Sequence, residues 1–245
     1  MTWETARKSA AFVSNVDRIL VPQGGEYRAI CQGLQSIDSQ KPLVLPIPMG
    51  VNALIPYLEK WQQTKDFLNK LPTRVLLMGL CGSLSPQYSV GDIVIYQACG
   101  YGRERLSWRE CDSYLTELLC DRLQEKATLV KGLTSDRVIW SAQEKSYLGQ
   151  TCQAEVVDME SYAALEILAR AGIALAIIRV ISDDCQQDLP NIMPAIGSDG
   201  SLQPFPLAMK MLQNPVAAIR LIRGSLRGLK VLQQVASDLF SEELG

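Results

Sequence analysis

Glu26, Glu160 and Asp183 each stand just behind an apolar run of the kind that forms a buried strand. Arg179 lies inside the last of these runs, directly after Ala174-Leu-Ala-Ile-Ile178. Carboxylates placed this way can give or take a proton, or balance positive charge that develops on a substrate. A guanidinium inside an apolar run must find partners once it is buried. The chain has no histidine, which excludes Ser-His-Asp and Cys-His mechanisms and every His-ligated metal site. Any chemistry therefore uses carboxylates, Arg, Lys, Tyr, Cys or backbone dipoles. Each acid also has a plainer reading. Asp183 can cap the turn after its strand, Glu160 can be an ordinary first-turn helix acid beside Asp158 and Ser161, and Glu26 can sit on a solvated helix face. Asp184 is a weaker substitute for Asp183 and reads as lid or solvent-facing.

The elements that must position these residues follow from hydrophobic periodicity. Strands are predicted near 17–21, 42–47, 74–79, 92–98, 128–133, 154–157 and 173–181. Helices are predicted near 25–36, 51–70, 111–125, 142–149, 160–171, 207–213 and 215–239. Strands alternating with helices signal a layered α/β domain, here one domain over residues 1–245. In open α/β sheets the carboxyl ends of strands form the ligand crevice, and Glu26, Gly79, Glu160 and Asp183 all follow predicted strands. Gly172 reads as the glycine that ends a helix. Gly79-Leu-Cys-Gly82 reads as a turn whose backbone N–H groups could approach a ligand. Residues 185–206, with Pro190, Pro194, Pro204 and Pro206, read as a long loop of the sort that serves as a lid.

Composition narrows the class further. At 47% apolar and 20% charged residues the chain is an ordinary globular one. A net charge of −2 leaves no basic footprint for nucleic acid. Seven scattered cysteines without a Cys-x-x-Cys pair suggest reduced thiols in the cytoplasm and neither a disulfide frame nor zinc. No apolar h-region follows Met1–Lys8, so no secretory leader is expected. The longest apolar run, Ala171 to Ile181, is too short to span a bilayer and contains Arg179.

Three motifs carry a family resemblance: Val75-Leu-Leu-Met-Gly-Leu-Cys-Gly-Ser-Leu84 leading to Val90-Gly-Asp92, then Val157-Asp-Met-Glu-Ser-Tyr162, then Arg179-Val-Ile-Ser-Asp183. In this order and spacing they resemble the nucleoside phosphorylase and nucleosidase superfamily, which includes the methylthioadenosine/S-adenosylhomocysteine nucleosidases. The resemblance implies a three-layer α/β/α fold with a central mixed sheet. It also implies cleavage of the bond between a purine, most simply adenine, and a ribose with a modified 5′ group. It implies no cofactor and no metal, a small-molecule nucleoside as partner, and a homo-oligomer in which neighbouring subunits often complete the pocket.

Roles carry over position by position. The resemblance makes Asp183 the acid at purine N7, beside Ser182, with burial expected to raise its carboxyl toward neutrality. Glu160 becomes the ligand of the ribose 2′- and 3′-hydroxyls, kept ionised by the helix dipole, and Met159 packs on the ribose. Glu26 becomes the base that activates water, with Arg179 paired to it. Cys81 and Gly82 border the sugar. Ser135-Asp-Arg-Val-Ile139 resembles the purine-binding segment, where Val138, next to Ile139, replaces the usual stacking aromatic. Bacterial hexameric phosphorylases place an Arg two residues before the first glycine and a Ser or Thr just after it. Leu77 and Leu80 stand there instead, which favours hydrolysis, while Arg28 keeps phosphorolysis open. Val157-Asp-Met-Glu-Ser161 and Ser198-Asp-Gly-Ser-Leu202 also resemble hopanoid-associated phosphorylases, which act on an adenosyl lipid. The tail helix has Ile219, Ile222, Leu226 and Leu229 in one stripe and Arg220, Arg223, Arg227 and Lys230 in the next. Such a helix either docks on its own sheet with a solvated cationic face or makes peripheral contact with a membrane surface. A reading from another class is a non-catalytic binding or storage member, against which the joint presence of Glu160, Arg179 and Asp183 argues.

Overall fold

The computed structural model describes residues 16–37, 41–69, 73–102, 106–197 and 199–241. Met1–Lys8, read as lacking a leader, lies outside the described residues, as do Lys70 and Ser198. The apolar runs form strands β1 (Arg18–Pro22), β2 (Leu43–Ile47), β3 (Arg74–Ser83), β4 (Ile93–Tyr101), β5 (Ser107–Glu110), β6 (Ala127–Thr134), β7 (Val156–Asp158) and β8 (Ala174–Asp183). Between and after them lie helices α1 (Gly25–Gly33), α2 (Val51–Gln62), α3 (Lys65–Asn69), α4 (Ser113–Leu123), α5 (Ala142–Cys152), α6 (Ser161–Arg170), α7 (Pro204–Gln213) and α8 (Pro215–Phe240).

β2, β1 and β3 run parallel, and β8 lies parallel to β3 but antiparallel to β4. β6 is parallel to both β4 and β7, and β7 returns antiparallel to the end of β3 through Gly82↔Val157. Strands β3, β8, β4, β6 and β7 therefore close into a ring, with β1 and β2 on one side and β5 on the other. Side chains alternate along the strands, as the pleat requires. Leu20, Leu77 and Ile177 face one core with residues of α2 and α6. Ile19, Val21, Leu76, Met78 and Ile178 face the other, with residues of α1, α4 and α8. The expected mixed sheet between helical layers is present; closure of the ring is what periodicity did not convey.

Several boundaries differ for local reasons. The helix predicted over 51–70 breaks after Gln62, and Thr64 starts a separate α3 by accepting the Phe67 N–H through Oγ1 at 3.3 Å. β5 is exposed along its whole length, Trp108 included, so it carries no alternation to read. α7 begins at Pro204, which sits in its first turn, where the missing N–H leaves no bond unmade. Gly172 does end α6, at φ 71°, with its N–H on the Ala169 carbonyl. Gly79 and Gly82, read as a turn, instead lie inside the extended β3. Among the described residues no helix is long and apolar enough to cross a membrane.

Candidate active site

The site is built where β3 and β8 run side by side. Gly79 is in register with Arg179 and Gly82 with Asp183, and a register shift after Cys81 leaves Ser182 as the extra residue of a bulge. The glycines are there for room. A Cβ on Gly79 would overlap Arg179 Nη1 and lie 2.7 Å from Glu26 Oε1; a Cβ on Gly82 would lie 2.7 Å from Asp183 Oδ2. Arg179 and Glu26 thus pass across the bare backbone of β3, one from the neighbouring strand and one from the first turn of α1.

Arg179 is fully buried. Its Nη2 pairs with Asp158 Oδ2 at 3.2 Å and Glu160 Oε2 at 3.3 Å, and donates to Ser161 Oγ at 3.2 Å. Burial works against its charge, but Asp158 and Glu160 outweigh burial and hold the guanidinium more firmly protonated than usual. Asp158 is the hub of this cluster. Its Oδ1 accepts from Thr134 Oγ1 at 2.9 Å and from the backbone N–H of Glu160 and Ser161, while the Ser161 hydroxyl donates to Oδ2. A carboxylate so placed satisfies the free amides at the start of α6. Glu160 precedes that helix but does not turn back to it. Its Oε1 accepts from Gly50 N at 2.9 Å. Burial pushes its carboxyl up, and Arg179 and the Gly50 N–H pull it back.

Glu26 Oε1 accepts the Leu80 N–H at 2.7 Å. Burial of this carboxyl pushes it up to about 7, against the pull of the Leu80 bond and of Arg179, with Glu160 and Asp158 adding to the rise. The residue keeps partial exposure through the cavity it lines. The pairing expected between Arg179 and Glu26 is replaced: the ion pairs of Arg179 are with Asp158 and Glu160, and Glu26 senses it across Gly79. Asp183, read from sequence as a buried carboxyl, has a cationic partner that the sequence did not show. It is ion-paired with the fully buried Lys145 from α5 and accepts from Ser182 Oγ at 2.6 Å; Lys145 also donates to the Asp184 carbonyl at 2.7 Å.

These groups surround a cavity of about 170 Å³. Glu26, Cys81, Gly82, Val138, Ile139, Met159, Glu160, Ser182 and Asp183 all line it, as do Met49, Leu80 and the loop residues Leu189 and Ile192. Arg179 and Gly79 stand behind the wall and do not line the cavity. Burial raises the Cys81 thiol well above its usual range, so it is a neutral wall and not a nucleophile. Arg28 is exposed and lies outside the lining, and Leu77 is buried in the core. Among the described residues no group of three or more Cys, Asp or Glu could hold a metal ion.

Residues 63–194 match the family model of the phosphorylase superfamily. The chain belongs to that superfamily. The matched stretch holds Asp158, Glu160, Arg179 and Asp183 but begins after Glu26, which lies outside it. A search of curated proteins finds no match. Among solved structures the fold is similar to a Helicobacter pylori 5′-methylthioadenosine/S-adenosyl homocysteine nucleosidase, at 14% identity over 91% of this chain and 96% of that one, TM-score 0.68. It is also similar to the futalosine hydrolase of the same organism, at 14% identity over 91% and 95%, TM-score 0.66. A 5′-methylthioadenosine/S-adenosylhomocysteine nucleosidase assigned in Borrelia burgdorferi and bound to adenine matches at 13% identity over 91% and 98%, TM-score 0.65. On this phosphorylase-superfamily scaffold the sequence missed Lys145, which reads as a solvated helix lysine, and the hub role of Asp158, whose one signal was its place two residues before Glu160.

Proposed function

We propose that this protein cleaves the N-glycosidic bond of a purine nucleoside, most simply an adenine nucleoside with a modified 5′ group, and that water is the acceptor. The observation that carries the reading is the convergence of Glu26, Glu160 and Asp183 on one cavity, where burial raises the Glu26 carboxyl to about 7. Bond cleavage leaves the electron pair on the base, where a proton delivered through Asp183 to N7 neutralises it. Lys145, ion-paired with Asp183 from behind the cavity wall, fixes that carboxyl in place. Glu160 accepts from the ribose hydroxyls and offsets the positive charge on the sugar, while Arg179 behind it holds its orientation. Glu26 takes a proton from water as the oxygen adds to the anomeric carbon. The logic is that of an acid and a base on opposite sides of a glycosidic bond.

Water is favoured over phosphate because β3 offers no anion cradle. The Leu80 N–H is occupied by Glu26, Leu80 presents an apolar wall, Leu77 faces the core, and Arg28 lies outside the lining. Desolvating phosphate against such a wall costs several kcal/mol. The modified 5′ group is supported by the substrates named for the Helicobacter pylori enzymes of this fold. An adenine-release screen over nucleosides with varied 5′ groups tests the assignment. At least one should yield free base, and Asp183→Asn should lower turnover by ~10²–10⁴-fold with binding nearly kept. Near-wild-type turnover in that variant removes Asp183 from the mechanism.

A further inference from the structure

From Gly200 to Ser237 the sequence holds no Asp or Glu, yet it carries Lys210, Arg220, Arg223, Arg227 and Lys230, on a chain whose net charge is −2. Among the described residues, the same segment holds eight of the fourteen exposed large hydrophobic side chains. α7 buries none of its residues, and Phe205 and Leu212 are 77% and 76% exposed, with Met209 beside them. α8 buries Ala217, Gly224, Gly228 and Leu232 and turns Val216, Ile219, Ile222 and Leu226 outward. At helical spacing Ile219, Ile222 and Leu226 form one stripe and Arg223, Arg227 and Lys230 the next, so apolar and cationic groups share the outward face. Leu229, grouped with that stripe from sequence, instead packs on Gly25. Arg223 and Arg227 are exposed and border a second pocket with Asp183 and Asp184, but neither makes an ion pair with a described residue.

The face has a fixed relation to the cavity. A Cβ on Gly224 would overlap the Ser182 carbonyl, and one on Gly228 would lie 2.9 Å from Leu80 Cδ2. α8 is therefore pressed directly on the two strands that carry the site, and its Leu221, next to Ile222, lines the cavity.

We propose that α7 and the outward face of α8 form a docking surface for an anionic phospholipid bilayer, with α8 lying in the plane of the interface and the cavity beside it. An interfacial helix buries its apolar residues at the headgroup boundary while its basic residues meet anionic lipid. The alternative occupant is a second copy of this chain. A two-fold contact sets a patch against itself, which brings Arg223, Arg227 and Lys230 against equal charges with no acid between Gly200 and Ser237 to answer them. Anionic headgroups supply the missing charge.

The test is co-sedimentation of the full chain with vesicles of phosphatidylcholine containing about one third phosphatidylglycerol, against pure phosphatidylcholine. Binding is read without substrate and so is independent of the reaction. Binding to the anionic vesicles should exceed that to the neutral ones by about tenfold or more and weaken with salt. It should fall by a similar factor in Ile219→Ser/Ile222→Ser and in Arg223→Glu/Arg227→Glu, each checked for an unchanged fold by circular dichroism. Sedimentation velocity without lipid is run on the same proteins. Failure of the unaltered chain to bind the anionic vesicles overturns the proposal. So does conversion of a dimer to a monomer by the same substitutions, which would assign the face to a second copy.

Discussion

Burial holds the Glu26 carboxyl up at about 7, against 4.5 for a free Glu, and this has two consequences with opposite signs. A base works only when ionised, so turnover should rise with pH up to about 7 and then level off. The same shift weakens the fold. Below about pH 4.5 the carboxyl is protonated whether the chain is folded or not, and no difference arises. As pH rises from there to about 7 only the unfolded chain releases the proton, so stability falls, and above 7 the full penalty is present, about 3 kcal/mol. Glu26→Gln keeps an acceptor for the Leu80 N–H and removes the charge. It should abolish turnover yet unfold at higher urea than the parent above pH 7, with the two curves meeting below about pH 4.5; equal urea midpoints at both pH values would contradict the burial account. Lys145 is the opposite case, a charge that stabilises only through its partner. Lys145→Met should lose ~3–5 kcal/mol by leaving Asp183 unpaired, and adding Asp183→Asn should restore most of it. Undiminished loss in the double variant would show that the pair is not coupled. Asp183 and Arg179 were legible because charged residues in or just behind an apolar run stand out. Lys145 was not, because one lysine on a helix looks solvated until the helix is docked.

At the scale of the element, β3 decides what the site can hold. Its glycines were legible as glycines that matter, but for the wrong reason. Gly-x-x-Gly is a local turn signal, whereas here both residues are extended and the demand for them comes from Arg179, Glu26 and Asp183 crossing from other elements. Gly79→Ala is therefore expected to destabilise by ~1–3 kcal/mol through overpacking and to cut turnover, since Glu26 and Arg179 must both move. Thermal melting together with base release checks it; a variant as stable and as active as the parent would show that the crossing side chains have slack. Hydrophobic patterning placed β1, β2, β4, β6 and β8 closely and found the start of β3, but ended that strand at Gly79 where it runs on to Ser83. It failed for β5, whose Ser-Trp-Arg-Glu sequence is exposed throughout, and it could not foresee the antiparallel return of β7, three residues long.

The whole molecule gathers its reactive groups from distant parts of the chain: Glu26 from the first helix, Gly79 to Gly82 from a central strand, Asp158 from the end of β7, Glu160 from the residue before α6, and Asp183 from the end of β8. Ring closure of β3, β8, β4, β6 and β7 is what makes these positions neighbours, and no stretch of sequence contains that information. The family motifs cover only residues 63–194, so the water-activating role proposed for Glu26 rests on the Leu80 contact and the buried charges around it. The most direct test is therefore the identity of the sugar formed from an adenine nucleoside that the protein accepts, determined by mass with and without millimolar phosphate. Free sugar at an unchanged rate in both conditions is the predicted result. Phosphate acceleration with the sugar 1-phosphate as the main product would contradict water as the acceptor and Glu26 as its base.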